Sequence, residues 1–159
     1  MEEIDPRRLR DALGRFATGV TVITTVDEAG NRYGMTANSF NSVSLDPPLI
    51  LWSMAKSSRS LDAFQNCEHF AVHILGDHQE ELATRFASKA EDRFAGFATY
   101  PGAGGVPLFD DCAAHLECRT ENAIEGGDHI IFIGRVLNFE FCDRDPLLFH
   151  AGRYARLGA

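Results

Sequence analysis

A run of small and polar residues, Thr36-Ala37-Asn38-Ser39, interrupts a predicted strand between two segments rich in large apolar residues. Side chains alternate faces along a strand, so Ala37 and Ser39 share one face while Thr36 and Asn38 share the other. Small residues let a flat ring lie close to the main chain, whose N–H and C=O groups can bond a polar ring edge. The run therefore predicts a site for a flat heteroaromatic ligand, and a solvent-facing edge strand is the alternative.

A second stretch, Lys56-Ser57-Ser58-Arg59, places two cationic and two hydroxyl side chains at the start of a helix predicted over 57–66. A helix N-terminus offers unpaired N–H groups and the positive end of the helix dipole, which suit a phosphate. The chain carries a net charge of −8, so a local cationic spot is where an anionic cofactor would bind. Ordinary helix capping with two solvated charges is the alternative.

Two further candidates lie in the C-terminal third. His129 follows the turn at 126–128, where a histidine can reach into a cleft, contact a carboxamide or assist a proton movement. His150, Arg153 and Tyr154 offer planar and cationic contacts to a dinucleotide. A hairpin histidine without a ligand and a plain C-terminal strand are the simpler alternatives.

Composition excludes several classes of protein. The 159 residues predict a single domain, 1–159, and an apolar content of 45% argues against disorder. The negative charge argues against nucleic-acid binding, and no apolar run approaches the roughly 20 residues of a membrane helix. The four cysteines form no CxxC pair and no secretory signal is evident, so we expect free thiols in a reducing cytoplasm. The sequence shows no metal-ligand spacing, P-loop or Rossmann fingerprint.

The chemistry-bearing residues must be positioned mainly by strands. Periodicity and turn signals predict strands at 20–26, 33–42, 49–54, 69–75, 113–125, 128–142 and about 153–157. They predict helices from Asp5-Pro6 to about Thr18-Gly19, over 57–66, and over 77–86 with a capping box of Asp77 and Glu80. In the first helix Leu9, Leu13 and Phe16 share one face. Short hairpin turns favour an antiparallel barrel or sandwich with a few covering helices.

Five ordered segments together resemble the short-chain flavin reductase family: FATGVTVITT, GMTANSFNSVSLDPPLILWSMAKSSRS, HFAVHIL, RFASKAEDRFAG and GGDHIIFIGRV…PLLFHAGRY. These small NAD(P)H:flavin oxidoreductases serve two-component monooxygenases, such as those acting on phenol and 4-hydroxyphenylacetate. The resemblance spans about Asp5 to Leu157. It implies a mainly β fold with flanking helices, a split β-barrel that binds FMN or FAD, usually as a homodimer.

The resemblance also implies roles for individual residues. The residues expected along the flavin ring are Thr36, Ala37, Asn38, Ser39 and Ser53, and those expected at its phosphate are Lys56, Ser57, Ser58 and Arg59. The residues expected near the flavin at the end of a helix are Phe86, Ala87 and Ser88. His129 is expected beside the nicotinamide, and the same cleft is expected to contain Arg153 and Tyr154. NADH or NADPH would donate hydride, and a separate monooxygenase would receive the reduced flavin. The alternatives are a flavin-binding electron carrier without nicotinamide turnover and a small β-barrel binding module without flavin.

Overall fold

A computed structural model describes residues 1–158, which are mainly β with a few helices, as predicted. The helices are α1 (Pro6–Leu13), α2 (Leu61–Asn66) and α3 (Glu80–Phe86). The strands are β1 (Thr18–Gly19), β2 (Thr21–Val26), β3 (Arg32–Ala37), β4 (Asn41–Leu45), β5 (Pro48–Ala55), β6 (His69–Ile74), β7 (Tyr100–Pro101), β8 (Pro107–Leu108), β9 (Ala114–Gly126), β10 (His129–Phe141), β11 (Leu148–His150) and β12 (Arg153–Ala155). Each of the three described helices is too short to cross a bilayer.

Seven strands form one antiparallel sheet in the order β3-β2-β6-β9-β10-β5-β4. Its two edge strands, β3 and β4, are consecutive in the chain and are joined only by residues 38–40. Because a chain spans at most about 3.6 Å per residue, the two strand ends lie within roughly 14 Å of each other. The sheet must therefore curl back towards itself, and we call residues 38–40, where its edges approach, the seam.

Aromatic side chains fill the inside of the curl. Trp52 stacks on Phe132 with 4.9 Å between ring centroids and meets Phe64 edge-on at 5.0 Å. A second cluster, centred on Phe86, packs between α3 and the outer face of β3. A Cβ atom on Gly34 would lie 2.5 Å from the Phe86 ring, so only glycine permits this approach of helix to strand.

The strongest strand predictions are confirmed. The β-branched and aliphatic runs at 20–26, 49–54 and 69–75 form β2, β5 and β6, because such side chains pack well on a pleated, buried surface. The hairpin predicted at the glycine pair does join β9 to β10: Gly126 ends β9, and Gly127 in the turn takes a φ of 66° that favours glycine.

The prediction for the first helix is correct at its start and wrong at its end. The Asp5 carboxylate accepts a hydrogen bond from the Arg7 N–H at 2.9 Å, as expected of an N-cap followed by proline. The helix ends at Leu13 rather than near residue 18, and it buries none of its residues. The shared apolar face of Leu9, Leu13 and Phe16 is exposed, since no described element covers it.

Three other boundaries differ from the predictions. The strand predicted over 33–42 breaks into β3 and β4, because the seam must pass from one sheet edge to the other. The helix predicted over 57–66 begins only at Leu61. The capping box is wrong: α3 begins at Glu80, and the Gln79 side chain instead accepts a hydrogen bond from the Gly76 N–H at 2.9 Å.

Candidate functional site

Strand β3 delivers the predicted ring-binding residues to the seam. Ala37, its last residue, belongs to the buried aromatic core, and its carbonyl accepts a hydrogen bond from the Thr21 hydroxyl at 2.7 Å. Thr36 faces the other way and donates its hydroxyl proton to the Ala83 carbonyl of α3 at 2.6 Å. The Ala37 carbonyl and the Thr36 hydroxyl therefore hold the strand in place, and the main chain beyond them is left for a ligand.

The seam itself has unpaired main-chain groups. Within residues 1–158, residues 38–40 make no main-chain to main-chain hydrogen bond, although β3 pairs with β2 and β4 pairs with β5. Asn38 is exposed, and Ser39 and Phe40 are half-buried. Solvent-reachable N–H and C=O groups without protein partners can bind the polar edge of a flat ring.

Ser39 closes the seam against β5. Its hydroxyl accepts a hydrogen bond from the Ser53 N–H at 2.9 Å and donates to the Ser53 carbonyl at 3.0 Å. The two predicted residues are therefore brought together, but the Ser39 hydroxyl is engaged within the protein. Its two bonds tie the seam to β5, the strand next to the edge strand β4.

Strand pairing places His129 on the same outer face as Ser53. In the β5–β10 ladder Ser53 lies opposite Ile131 and Ala55 lies opposite His129, two residues further along each strand. The His129 side chain is 46% exposed, and its Nδ1 lies 2.7 Å from an Asp128 carboxylate oxygen. This contact with His129 lowers the pKa of Asp128 and sets the direction of the imidazole ring.

The turn that carries Lys56 adjoins His129. The Lys56 N–H donates to the Asp128 carbonyl at 2.9 Å, which extends the β5–β10 ladder by one bond. The Lys56 ammonium lies 3.4 Å from Glu125, an exposed pair that a bound anion can displace at low cost. Because α2 begins only at Leu61, the cationic stretch lies in a turn and not in the first turn of a helix.

Ser57 and Ser58 share this turn. Ser57 is exposed, whereas Ser58 is half-buried and its hydroxyl accepts a hydrogen bond from the Ser60 N–H at 3.3 Å. The Ser58 N–H donates in turn to the Ala55 carbonyl at 3.0 Å. Internal bonds thus fix the turn, and Ser57 keeps the freer hydroxyl group.

Arg59 lines a small cavity with two arginines that sequence reasoning did not assign. This arginine pocket, about 220 Å³, is lined by Arg32, Arg59 and Arg93 together with residues 33–34, Ser60, 90–92 and Phe94. In the described part of the chain, none of the three guanidinium groups lies within 4.0 Å of a carboxylate oxygen. Burial, and then the charge of Arg59, lower the pKa of Arg93. The lining also contains Glu91 and Asp92, so three cations face two carboxylates and the pocket carries one net positive charge, which favours an anionic ligand.

Phe86, Ala87 and Ser88 end α3 beside β3. The Phe86 ring is 1% exposed and packs in the second aromatic cluster, so its side chain supports the site from behind. Ala87 is exposed, and the half-buried Ser88 donates its hydroxyl proton to the Arg85 carbonyl at 2.7 Å. Ala87 and Ser88 are therefore the accessible members of this group.

Arg153 and Tyr154 belong to a different sheet from the residues described so far, although Tyr154 packs against the cluster that contains Phe86. They belong to β12, in a separate three-stranded sheet with β1 and β11. Tyr154 packs edge-on against Phe149 at 5.5 Å, and Arg153 is exposed. No hydrogen bond found within residues 1–158 joins either side chain to the seam or to the Lys56 turn.

A larger cavity, about 690 Å³, contains none of the predicted site residues. It lies between the β2–β3 turn and α2, and its lining includes the carboxylates of Asp27, Glu28, Asp62 and Glu68. Like charges repel, so this acidic cavity is unsuited to a cofactor that carries phosphate. The seam is therefore the better candidate for a cofactor site than the larger cavity, because of its unpaired main-chain groups and the absence of a carboxylate cluster among residues 38–40, and not because of its volume.

Comparison with known proteins shows the family of the chain. The family model described as "Flavin reductase like domain" matches residues 13–158, and the chain belongs to that family. A probable flavin reductase of Rhizobium meliloti is 49% identical over 96% of this chain, which spans only 49% of that relative's length. The FMN reductase (NADH) SmoA of Agrobacterium fabrum is 45% identical over 94% of this chain and 85% of its own length.

A solved structure shows the same fold. The NADH:FAD oxidoreductase SgcE6 of Streptomyces globisporus C-1027, in complex with NAD and FAD fragments, matches with a TM-score of 0.91 and 39% identity. The match covers 99% of this chain and 98% of that one. The residues at the seam fit such a cofactor: unpaired main-chain groups could bond the polar edge of a flat ring, and the arginine pocket, which includes Gly34 of β3 in its lining, could take a charged tail.

Proposed function

We propose that the protein is an NAD(P)H-dependent flavin reductase, which reduces FAD or FMN and supplies the reduced flavin to a separate monooxygenase. The observation that carries the proposal is the seam, where unpaired main-chain groups join two edges of a sheet; the arginine pocket borders β3, the strand that leads into the seam. The whole chain, 1–159, would act as one flavin reductase-like domain with a split β-barrel. The curl of the sheet and the Ser39–Ser53 bridge support that architecture.

The chain's residues divide into those that hold the ring and those that hold its charged tail. The main chain of the seam, with Asn38 and the exposed side of Ser53, would bond the polar edge of the ring. Lys56, Ser57 and Arg59 would hold the phosphate, with Glu125 displaced from Lys56. When bound, a flavin and a reduced nicotinamide would supply the hydride chemistry themselves, so the residues of this chain need to align two rings rather than supply a base.

His129 would orient the nicotinamide. If the Nδ1–H donates to Asp128, the neutral ring presents Nε2 as an acceptor for the carboxamide NH₂ group. The ring lies on the same outer face as Ser53, close enough in the ladder for one cleft to hold both cofactor rings. Arg153 and Tyr154 would contact the dinucleotide only from the neighbouring sheet, and we assign them a smaller share of the affinity.

A homodimer in the cytoplasm is the proposed state of the protein. The outer face of β5 and β10 presents the half-buried Leu51, Ile131 and Ile133, and the nearby Val43 and Leu45 are 48% and 95% exposed. Apolar surface of this extent on a small domain favours association with a second copy. Sedimentation analysis should give twice the monomer mass, and a monomer at micromolar concentration would contradict this part of the proposal.

The function is tested by following NADH and NADPH absorbance after addition of FMN, FAD or riboflavin. A flavin reductase oxidises at least one nicotinamide at a rate that depends on flavin, and the reduced flavin supports a monooxygenase supplied separately. An electron carrier of the same fold would bind flavin yet oxidise NADH no faster than background. A binding module without flavin would leave flavin fluorescence unchanged on titration.

A further inference from the structure

Arg93 joins the two elements that border the site. Its Nη1 donates to the Gly34 carbonyl of β3 at 2.8 Å, while Nε and Nη2 donate to the Ser88 carbonyl at 3.0 and 2.7 Å. Gly34 lies two residues before Thr36 on the strand that leads into the seam, and Ser88 follows the end of α3. One half-buried guanidinium thus fixes the distance between the seam strand and the loop after α3.

We propose that Arg93 is a positioning residue, which holds the loop at 87–93 against β3 so that the seam keeps the shape that binds flavin. This inference rests on the proposed flavin reductase function. Arg93 is suited to the task because a planar guanidinium offers five donors in a fixed fork. A lysine at this position has the same charge but cannot donate to two carbonyls in the same geometry.

The surroundings of Arg93 indicate that its hydrogen bonds to Gly34 and Ser88 affect the candidate site as well as the stability of the fold. Burial lowers the pKa of Arg93, which means that placing this charge here carries a desolvation penalty. No carboxylate within residues 1–158 forms an ion pair with it, and its donors go to main-chain carbonyls instead. The same guanidinium lines the arginine pocket beside Arg59. Its removal would alter both the loop and the wall of that pocket.

The test compares Arg93→Ala with the matched control Arg85→Ala. Arg85 also donates to a main-chain carbonyl, that of Ala95 just after the loop, at 2.8 Å, and its guanidinium lies 5.3 Å from the Phe97 ring centroid, but it makes no bond to β3. The dissociation constant for FMN is measured by fluorescence titration, and kcat and KM with NADH are measured on protein shown to be folded by circular dichroism. We expect Arg93→Ala to weaken FMN binding about tenfold or more, and Arg85→Ala to leave it within about twofold.

Two further measurements separate positioning from charge and from folding. Methylguanidinium in solution should restore part of the FMN affinity of Arg93→Ala and leave Arg85→Ala unchanged. Arg93→Lys should bind FMN almost as weakly as Arg93→Ala if the fork matters, and it serves as the test if the alanine variant does not fold. Wild-type affinity in Arg93→Lys, or equal losses in the two alanine variants, would overturn the inference. The proposed function would fail separately, through a wild-type protein that reduces no flavin.

Discussion

Strand β2 and the seam differ in how their polar groups are hydrogen-bonded. Strand β2 buries Thr21, Thr24 and Thr25, and each hydroxyl donates to a main-chain carbonyl at 2.6 to 2.8 Å. The seam at 38–40 exposes polar groups and leaves its main chain unpaired. Polar groups with internal partners therefore maintain the fold, whereas exposed groups without partners are available to a ligand.

His73 on β6 is also a buried polar residue whose hydrogen-bond partners lie within the protein. It is fully buried, its Nδ1 lies 2.9 Å from the Val22 carbonyl, and its Nε2 accepts a hydrogen bond from the Phe109 N–H at 3.2 Å. A carbonyl can only accept, so Nδ1 carries the hydrogen and the ring is neutral. Burial is the main reason that the pKa of His73 falls to about 4. The residue joins β6 to β2 and to the segment after β8.

The largest expected effect tests this structural role. His73→Ala removes two buried hydrogen bonds and leaves a cavity, so the free energy of unfolding should fall by about 3 kcal/mol. The exposed His78→Ala variant should change it by less than about 0.5 kcal/mol. Urea denaturation measures both, and FMN affinity of the folded His73→Ala protein should stay within twofold of wild type. A variant of normal stability that no longer binds FMN would reverse the assignment.

The pH dependence of stability is the next largest effect. The pKa of His73 is about 4 in the folded protein and 6.5 in the unfolded chain, so the unfolded chain binds more protons between these values. Stability is therefore fully present above pH 6.5 and is lost as the pH falls towards 4, by on the order of 3 kcal/mol from this group. The difference between wild type and His73→Ala in urea titrations at each pH isolates the contribution. A wild-type curve parallel to that of the variant would contradict it.

A bulky side chain at the seam should weaken FMN binding and leave the free energy of unfolding almost unchanged. Asn38 is exposed, so Asn38→Trp should alter the free energy of unfolding by less than about 0.5 kcal/mol. The indole should occupy space needed by a flat ligand and weaken FMN binding about tenfold, or about 1.4 kcal/mol. Glu28→Trp, in the exposed β2–β3 turn, is the matched control. Equal FMN affinity in the two variants would place the ring elsewhere.

The smallest effect concerns His129. His129→Ala removes one partly exposed hydrogen-bonding group, worth about 1 kcal/mol, so the KM for NADH should rise about fivefold. The dissociation constant for FMN should not change, and His129→Gln should recover part of the loss because its side chain can still accept and donate. Steady-state kinetics at saturating FMN provide the measurement. An unchanged KM and kcat in the alanine variant would remove His129 from the site.

Sequence reasoning found the elements whose cause is local. The β-branched run of β2 and the aliphatic run of β5 are strands because of their own composition, and the hairpin at Gly126-Gly127 has the same local cause, although its turn consists of Gly127 and Asp128. The mainly β class follows from these elements. The quoted segments were also enough to predict the family to which the chain belongs.

The errors have a common cause in long-range structure. The residue types at 38–40 do not indicate that this segment joins the two edges of one sheet, so the sequence alone predicts a strand that continues through the seam. The apolar face of α1 predicts burial, yet no described element covers Leu13 or Phe16. Arg93 was overlooked because its two carbonyl partners lie 59 and 5 residues away, and a carbonyl leaves no trace in a side-chain motif.

The central claim is that the main chain of residues 38–40 binds a flavin ring, and a crystal structure of the FMN complex tests it most directly. The ring should lie along the seam, with at least one N–H or C=O group of residues 38–40 within hydrogen-bonding distance of its polar edge. The phosphate should lie near Lys56 or Arg59. A ring bound in the acidic cavity beside Asp27, with the main chain of the seam bonded to the protein itself, would contradict the claim.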